Sequence, residues 1–399
     1  GVTYTVVDDS TIAGQIANGN VNLCTTLVTS MNGSIVNGQR TNFFKNFKFN
    51  SFIGFWDTSS VTDMSDMFRN ADVFDQDISN WDTSSVNDMS GMFFIEYCLN
   101  SDCTSFQDSS LFNQDIGNWD TSSVTDMSYM FFNATSFNQD ITNWNVSNVQ
   151  NMAWMYRNAS SFNQAIGNWN MSSVTNTSAM FYEAKAFNQY IGNWNTSNVT
   201  NMSYMFSGYS KLTAFNQGID NWDTSSVTDM SDMFRNSGSF NQPIGNWDTS
   251  NVTNTHMMFT GAIAFNQDIN NWDTSSVTDM TQMFWLAAQF NQPIGNWNTS
   301  SVIGMGDMFY KATAFNQDIG DWNTSNVIYM NGLFSEATNF NQDIGNWDTS
   351  KVIGMDTMFQ NAKAFNQDIG SWNTSSVNVM GGMFFDAISF NQDLTGWCV

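Results

Sequence analysis

Apolar residues recur along this chain at fixed offsets from a tryptophan, and the offsets suit neither a long helix nor a long strand. Phe stands seven residues before each repeated tryptophan, from Phe49, Phe74 and Phe112 to Phe390, and Ile three before it (Ile53, Ile78, Ile116, then Leu394). Val follows five after, from Val61 to Val377; Met usually eight after, replaced by Thr177 and Thr255; and Met-Phe eleven and twelve after, as at Met67 and Phe68. These are short apolar clusters broken by N-W-D-T-S and N-A-T-S turn sequences, not a sustained 3.6 or 2.0 period. F-N-Q-D-I therefore predicts one short strand and S-V-T-D-M a second, joined by an Asx-type corner at the Asp or Asn after each Trp. M-F-x-x-A predicts a helical or 3₁₀ turn closing the coil. Phe, Trp, Ile, Val and Met are the candidate core, with methionine as gap-filler and not as a metal ligand.

The tryptophans are Trp56, Trp81, Trp119, Trp144, Trp169, Trp194, Trp222, Trp247, Trp272, Trp297, Trp322, Trp347, Trp372 and Trp397. They are 25 residues apart except for 38 between Trp81 and Trp119 and 28 between Trp194 and Trp222, which are insertions of 13 and 3. A fixed period of this length predicts stacked units that touch only their neighbours and act through an extended surface. The expected fold is a β-rich repeat solenoid, a right-handed coil of about fourteen repeats with short parallel strands. At about 4.8 Å per stacked strand this is a rod on the order of 65–70 Å. The array runs over 23–399, with the larger insertion within 94–111. A weaker copy, Leu23–Met31, begins it with Leu23 in the Trp position. Before it, 1–22 predicts an N-terminal cap: a strand at Tyr4–Val7, then a short helix N-capped by Asp9 or Ser10 and closed by Gly19. The Asn-Gln pair after each Phe (Asn113-Gln114, Asn138-Gln139, Asn163-Gln164) predicts amide ladders along the stack.

Charge narrows the partners. With 36 acidic and 11 basic residues, a net charge of −25, the chain is a poor ligand for nucleic acid or an anionic membrane. No apolar run is long enough to cross a bilayer. Gly1 without a preceding methionine suggests a processed protein or a fragment.

Acidic columns follow the Trp (Asp57, Asp82, Asp120), lie seven after it (Asp63, Asp88, Asp126, Asp229, Asp279) and precede the Ile (Asp77, Asp115, Asp140, Asp268, Asp318). Stacked like charges repel, so solvent, corner hydrogen bonds or calcium must offset them; Asp63, Asp88 and Asp126 are the calcium candidates, and no other cofactor is expected. The sole histidine, His256, has no second histidine or Cys/His cluster to work with, and no P-loop or dinucleotide fingerprint is present. An enzyme is not expected. Sequons begin at Asn32, Asn133, Asn145, Asn158, Asn170, Asn176, Asn195, Asn198, Asn201, Asn251, Asn298, Asn323 and Asn373; the repeat itself contains N-T-S and generates sequons by duplication, and each is a candidate glycan acceptor. Regular threonines (Thr58, Thr83, Thr121; Thr62, Thr125, Thr228) offer an alternative, a flat face binding glycan or ordering water or ice, although the second column turns to Ile303, Ile328 and Ile353.

Over residues 49–399 the repeat FNQDIxxWDTSxVTxMxxMF resembles that of the BspA-like leucine-rich-repeat surface proteins. The resemblance implies an extracellular or cell-surface protein with structural or adhesive use, binding itself or other surface and matrix proteins, with no active site. The four cysteines suit that setting. Cys98 and Cys103 are close enough to close a ring in the inserted loop, which is also the expected point of specific contact. Cys24 and Cys398 follow the Trp position at opposite ends of the array, too far apart to pair in one chain. The last half-coil, FNQDLTGWCV, complements the first, so a Cys398–Cys24 clasp between subunits would build a head-to-tail filament.

Overall fold

The computed structural model describes residues 2–36, 39–96, 110–209 and 213–397. The chain forms two compact units, 1–198 and 199–399. The first opens with strand β1 (Thr5–Asp8), helix α1 (Ile12–Ala17) and strand β2 (Leu23–Leu27), β1 pairing parallel to β2 with Thr5 opposite Leu23. The helix cap differs from the expectation. The N-cap is Thr11, with no side-chain cap bond; Asp8 Oδ1 accepts the Ser10 and Thr11 amides in the turn before the helix, and Asp9 instead accepts the Thr29 amide and hydroxyl. Gly19 closes the helix at φ +76, the left-handed geometry that glycine adopts without a Cβ clash. Strands β3 (Ser34–Val36) and β4 (Gln39–Thr41) form an antiparallel hairpin.

The repeats carry their hydrogen bonds differently from two regular strands. F-N-Q-D-I is not a strand; its Phe amide closes a turn onto a backbone carbonyl, as from Phe137 to Ala134, and its Asn amide is held by a side chain. Asn113 Oδ1 accepts the Asn138 amide at 3.0 Å while Gln139 Nε2 donates to the Asn113 carbonyl at 2.8 Å. The pattern recurs from Asn138 to Asn163 and, in the second unit, from Asn241 to Asn266. S-V-T-D-M pairs only through single parallel bridges, Ser30 to Asp63, Asp88, Asp126, Asn151 and Asn176 in the first unit and Asn201 through Asp229 to Val379 in the second. The expected closing helix is instead a ladder of turns. Met64, Asp66, Phe68 and Asn70 donate their amides to Asp88, Ser90, Met92 and Phe94 of the next repeat, while Met67, Arg69 and Ala71 close turns within their own. This alternation uses left-handed residues ten and fourteen after the Trp, such as Asp66 (φ 54) and Asn70 (φ 59), then Tyr129 and Asn133.

The candidate core columns are buried. Each Trp in the array is 3–4 % exposed up to Trp372; the Trp56 indole N–H donates to the Val21 carbonyl, and later ones donate to the Ile carbonyl of the preceding repeat, as from Trp81 to Ile53. Identical rings stack on one another, but not at strand spacing. In the first unit the Phe68, Phe93, Phe131 and Tyr156 centroids are 5.4, 5.6 and 5.5 Å apart, whereas the Trp81, Trp119, Trp144 and Trp169 centroids are 6.3, 6.5 and 6.5 Å apart. The second unit shows the same inequality, 5.7 and 5.6 Å against 6.4 and 6.4 Å. Repeats closer on the ladder side than on the Trp side make each unit curve, with the turn ladder on its inner side.

Candidate functional site

The outer columns are occupied with structure. Asp57 Oδ1 accepts the amide and hydroxyl of Ser59, the corner expected from sequence, and Asp82, Asp120 and Asp248 repeat its amide bond. Their serine partners hold Asp57, Asp120 and Asp248 below the usual carboxylate range. Of the calcium candidates, Asp63 accepts from Ser65 and from Asn32 Nδ2, Asp88 from the Ser90 amide and Asp126 from the Ser128 amide. Burial, with Asp63 and Asp126 on either side, raises the Asp88 pKa. Among the described residues no group of three or more His, Cys, Asp or Glu is arranged to hold a metal ion.

The threonine columns do not make a free face. Thr58, Thr83 and Thr121 are buried and donate to the Asp82, Asp120 and Asn145 carbonyls. Thr62, Thr125 and Thr228 are exposed, but their hydroxyls turn back to carbonyls of the preceding repeat.

The sequons separate by column. Asn145, Asn170, Asn195, Asn298, Asn323 and Asn373 directly follow the Trp and are exposed, with Oδ1 facing the corner amide at Asn145, Asn170, Asn195, Asn298 and Asn323. Asn198 and Asn251 are exposed with Nδ2 bonded to the Ser172 and Ser225 carbonyls, and Asn32 is exposed. Asn133 is fully buried, its amide donating to the Ile95 carbonyl and accepting from half-buried Asn158, so that side chain is closed to a glycan. Asn176 and Asn201 are half-buried. Cys24 is half-buried on β2 with a free thiol; Cys98, Cys103 and Cys398 lie outside the described residues. His256 is half-buried on the ladder side. Its Nδ1 is 3.6 Å from Asp279 Oδ2, an ion-pair distance, and that carboxylate holds its pKa above the ordinary value.

What sequence reasoning missed is the inner face itself. Positions ten and thirteen after the Trp change from repeat to repeat while the core columns hardly do, and they range from buried, as at Phe94 and Asp232, to exposed, as at Tyr129 and Phe385. Three of the chain's four arginines, Arg69, Arg157 and Arg235, stand at position thirteen. The fourth, Arg40, comes from the β3–β4 hairpin. That hairpin had a signature: Leu23 to Trp56 is 33 residues, eight more than one period, and Ser34 to Thr41 is eight residues.

On the first unit the arginines sit in aromatic surroundings. The Arg69 guanidinium lies 3.8 Å over the Phe94 ring, and that of Arg157 is 4.7, 5.1 and 5.0 Å from the Phe132, Trp154 and Tyr182 rings. Phe94 and Phe132 stack at 4.4 Å, and the Tyr129 and Trp154 planes are parallel within 2°. The second unit's inner side is more charged, with Arg235 on Asp232 at 3.1 Å, Lys311 on Glu336 at 3.3 Å, and a Trp285–Tyr310 stack. Burial raises the Asp232 pKa.

Stacked, hydrogen-bonded copies of one unit with a single varying face define a tandem-repeat protein. Four successive matches to the family described as "Mycoplasma protein of unknown function, DUF285" cover residues 17–111, 103–213, 208–320 and 305–399, and the chain belongs to that family. No curated protein matches. Among solved structures, "Crystal structure of TLR13-ssRNA13 complex" aligns with 8 % identity and a TM-score of 0.21 over 98 % of this chain; the alignment takes in 65 % of the length of the other. Among the described residues no helix is long and apolar enough to cross a membrane.

Proposed function

We propose that this chain is an extracellular structural and adhesive repeat protein of the BspA-like leucine-rich-repeat type, a right-handed solenoid of about fourteen coils behind the cap at 1–22. The observation that carries the reading is the split between constant core columns and one variable, aromatic- and arginine-bearing inner face. Arg, Tyr and Trp on a rigid scaffold are the residues from which recognition hot spots are made, and the bonded ladder beneath them supplies the rigidity. The face serves binding, and the remaining columns serve the scaffold. An antibody against the chain should label intact source cells, and beads coated with the purified chain should adhere to matrix preparations more than albumin-coated beads. Labelling only after permeabilisation, or equal adhesion by both beads, would refute the reading.

Head-to-tail assembly through a Cys398–Cys24 clasp is a second reading, favoured by apolar surface on the last described repeat. Phe385 and Ile388 are 66 % and 72 % exposed, beside a hollow of about 470 Å³ lined by Met380, Met383, Leu394 and Trp397. Val6 and Leu27, on the first described strands, are exposed as well, next to Cys24. Non-reducing electrophoresis of native material decides: a ladder that collapses on reduction supports the clasp, and a single monomer band with and without reductant removes it.

A further inference from the structure

The inner face of the first unit is interrupted by a hollow at Gly91. Position ten after the Trp carries Asp66, then Gly91, then Tyr129, and the missing side chain in the middle leaves a cavity of about 450 Å³, within the range of small-ligand sites, roughly 300–1,000 Å³. Gly91 (φ +61) suits the left-handed backbone there, and a Cβ would press on the Asp66 carboxylate and displace it. One wall is Tyr129, 39 % exposed and continuous with the parallel Trp154 ring. The opposite wall is polar: Asp66 accepts Arg40 Nη1 at 2.8 Å on one oxygen and Arg69 Nη1 at 3.1 Å on the other. Asp126 completes the rim, and Phe94 beneath Arg69 forms part of the lining.

We propose that this hollow binds a neutral, hydroxyl-rich ligand, namely a hexose unit of a glycan chain, which rests on the adhesive reading above and names what the face adheres to. The chemistry follows from the charges. Both guanidiniums are already engaged, Arg40 and Arg69 by Asp66 and Arg69 also by Glu96 at 3.8 Å, while Asp126 is held by the Ser128 amide and Asn151 Nδ2, so the site offers neither an uncompensated cation for an anionic ligand nor a wholly free carboxylate for a cationic one. A net charge of −25 further repels polyanions. What remains is a set of planar, charged donors and acceptors beside an exposed ring. The guanidinium N–H groups of Arg40, whose side chain is 64 % exposed, and the carboxylate of Asp126 match vicinal hydroxyls, which donate and accept at once. The aliphatic face of a pyranose ring lies against Tyr129. Because Trp154 continues the platform, the ligand is a chain and not a single sugar.

The test is calorimetric titration of the full chain with cellohexaose, maltohexaose and chitohexaose, and with polygalacturonate as the anionic comparison. At least one neutral chain should bind, with Tyr129→Ala and Arg40→Ala each weakening it about tenfold or more. Tyr190→Ala, which removes an exposed tyrosine elsewhere in the same unit, should leave binding unchanged and control for folding. No binding of any neutral chain up to about 10 mM, binding indifferent to Tyr129→Ala, or preferred binding of polygalacturonate would each overturn the site. Bead adhesion measured alongside keeps the two readings apart. Adhesion without sugar binding removes the glycan site alone, and sugar binding without adhesion removes the adhesive reading alone.

Discussion

Replacing Trp247 by alanine tests the stacking core at its most repetitive position. The indole is 3 % exposed and lies between Trp222 and Trp272, with ring centroids 6.3 and 6.4 Å away and planes within 4° and 2°. Phe234 touches it from the ladder side at 6.3 Å, and its Nε1 donates to the Ile219 carbonyl at 3.0 Å. Truncating a buried tryptophan costs about 3–5 kcal/mol through lost transfer energy and an unfilled cavity. Collapse is resisted on the Trp272 side, because that ring is pinned by its own indole hydrogen bond to the Ile244 carbonyl. The stranded Ile219 carbonyl adds roughly 1–3 kcal/mol. Long repeat arrays need not unfold in one step, so native-state hydrogen exchange is the measurement, read at the ladder amides Phe234 and Phe259 on either side. Their opening free energy should fall by at least about 3 kcal/mol, while amides near Trp347 stay protected. Trp247→Phe should separate the terms, restoring most of the packing without the bond to Ile219. A loss below about 1 kcal/mol in the alanine variant would place the column outside the core and refute the stacking argument.

Four further outcomes follow from the same geometry. Asn266→Ala removes the acceptor of the Asn291 amide and of Gln292 Nε2 and should cost about 1–3 kcal/mol by denaturant titration, whereas Asn266→Asp should cost far less, since Asp75 already makes the same pair of bonds to Asn113 and Gln114. The raised His256 pKa gives stability that is fully present below the unfolded value of about 6.5 and is lost as pH rises through the folded pKa, so His256→Gln should flatten the stability–pH slope above about pH 6.5, and an unchanged slope would discount the Asp279 pair. In a secretory eukaryotic host, peptide mass spectrometry should find glycans on exposed sequons such as Asn170 and Asn298 and none on buried Asn133. Thr357 holds φ 54, a poor geometry for a β-branched residue, so Thr357→Gly should raise the melting temperature, where the same change in ordinary turn geometry lowers it.

The core was legible because its signal is redundant: Phe74, Ile78, Trp81, Val86 and Met89 reappear at the same offsets a dozen times, and burial is the only property such a column needs. Backbone conformation was not, because the left-handed residues that build the ladder are Tyr129, Trp154, Ala179, Met257 and Leu286 as often as asparagine or glycine. Nothing in those residue types announces a positive φ; only the Asn at position fourteen, as in Asn70, Asn158, Asn236 and Asn361, carried the hint. The threonine columns misled for a related reason. Thr58 and Thr62 look alike in sequence, and which of them is buried depends on the corner at Asp57, whose carboxylate turns the backbone inward.

The inner face escaped notice because repetition draws the eye to what is constant, while recognition resides in what varies. One of its two positions, the tenth after the Trp, is also where the backbone is left-handed. A non-glycine residue in the left-handed region costs roughly 1–2 kcal/mol, and glycine would remove that cost wherever only the ladder mattered. Glycine is used at Gly91, Gly332 and Gly382, so the repeat tolerates it. At Tyr129 and Trp154 the chain instead holds large aromatic side chains in strained geometry, beside Arg157 and next to the only gap in the Asp66–Gly91–Tyr129 row. Strain retained where relief is available one repeat away points to side chains kept for contact, and it places the strongest such case on the first unit's aromatic strip and not on the acidic columns.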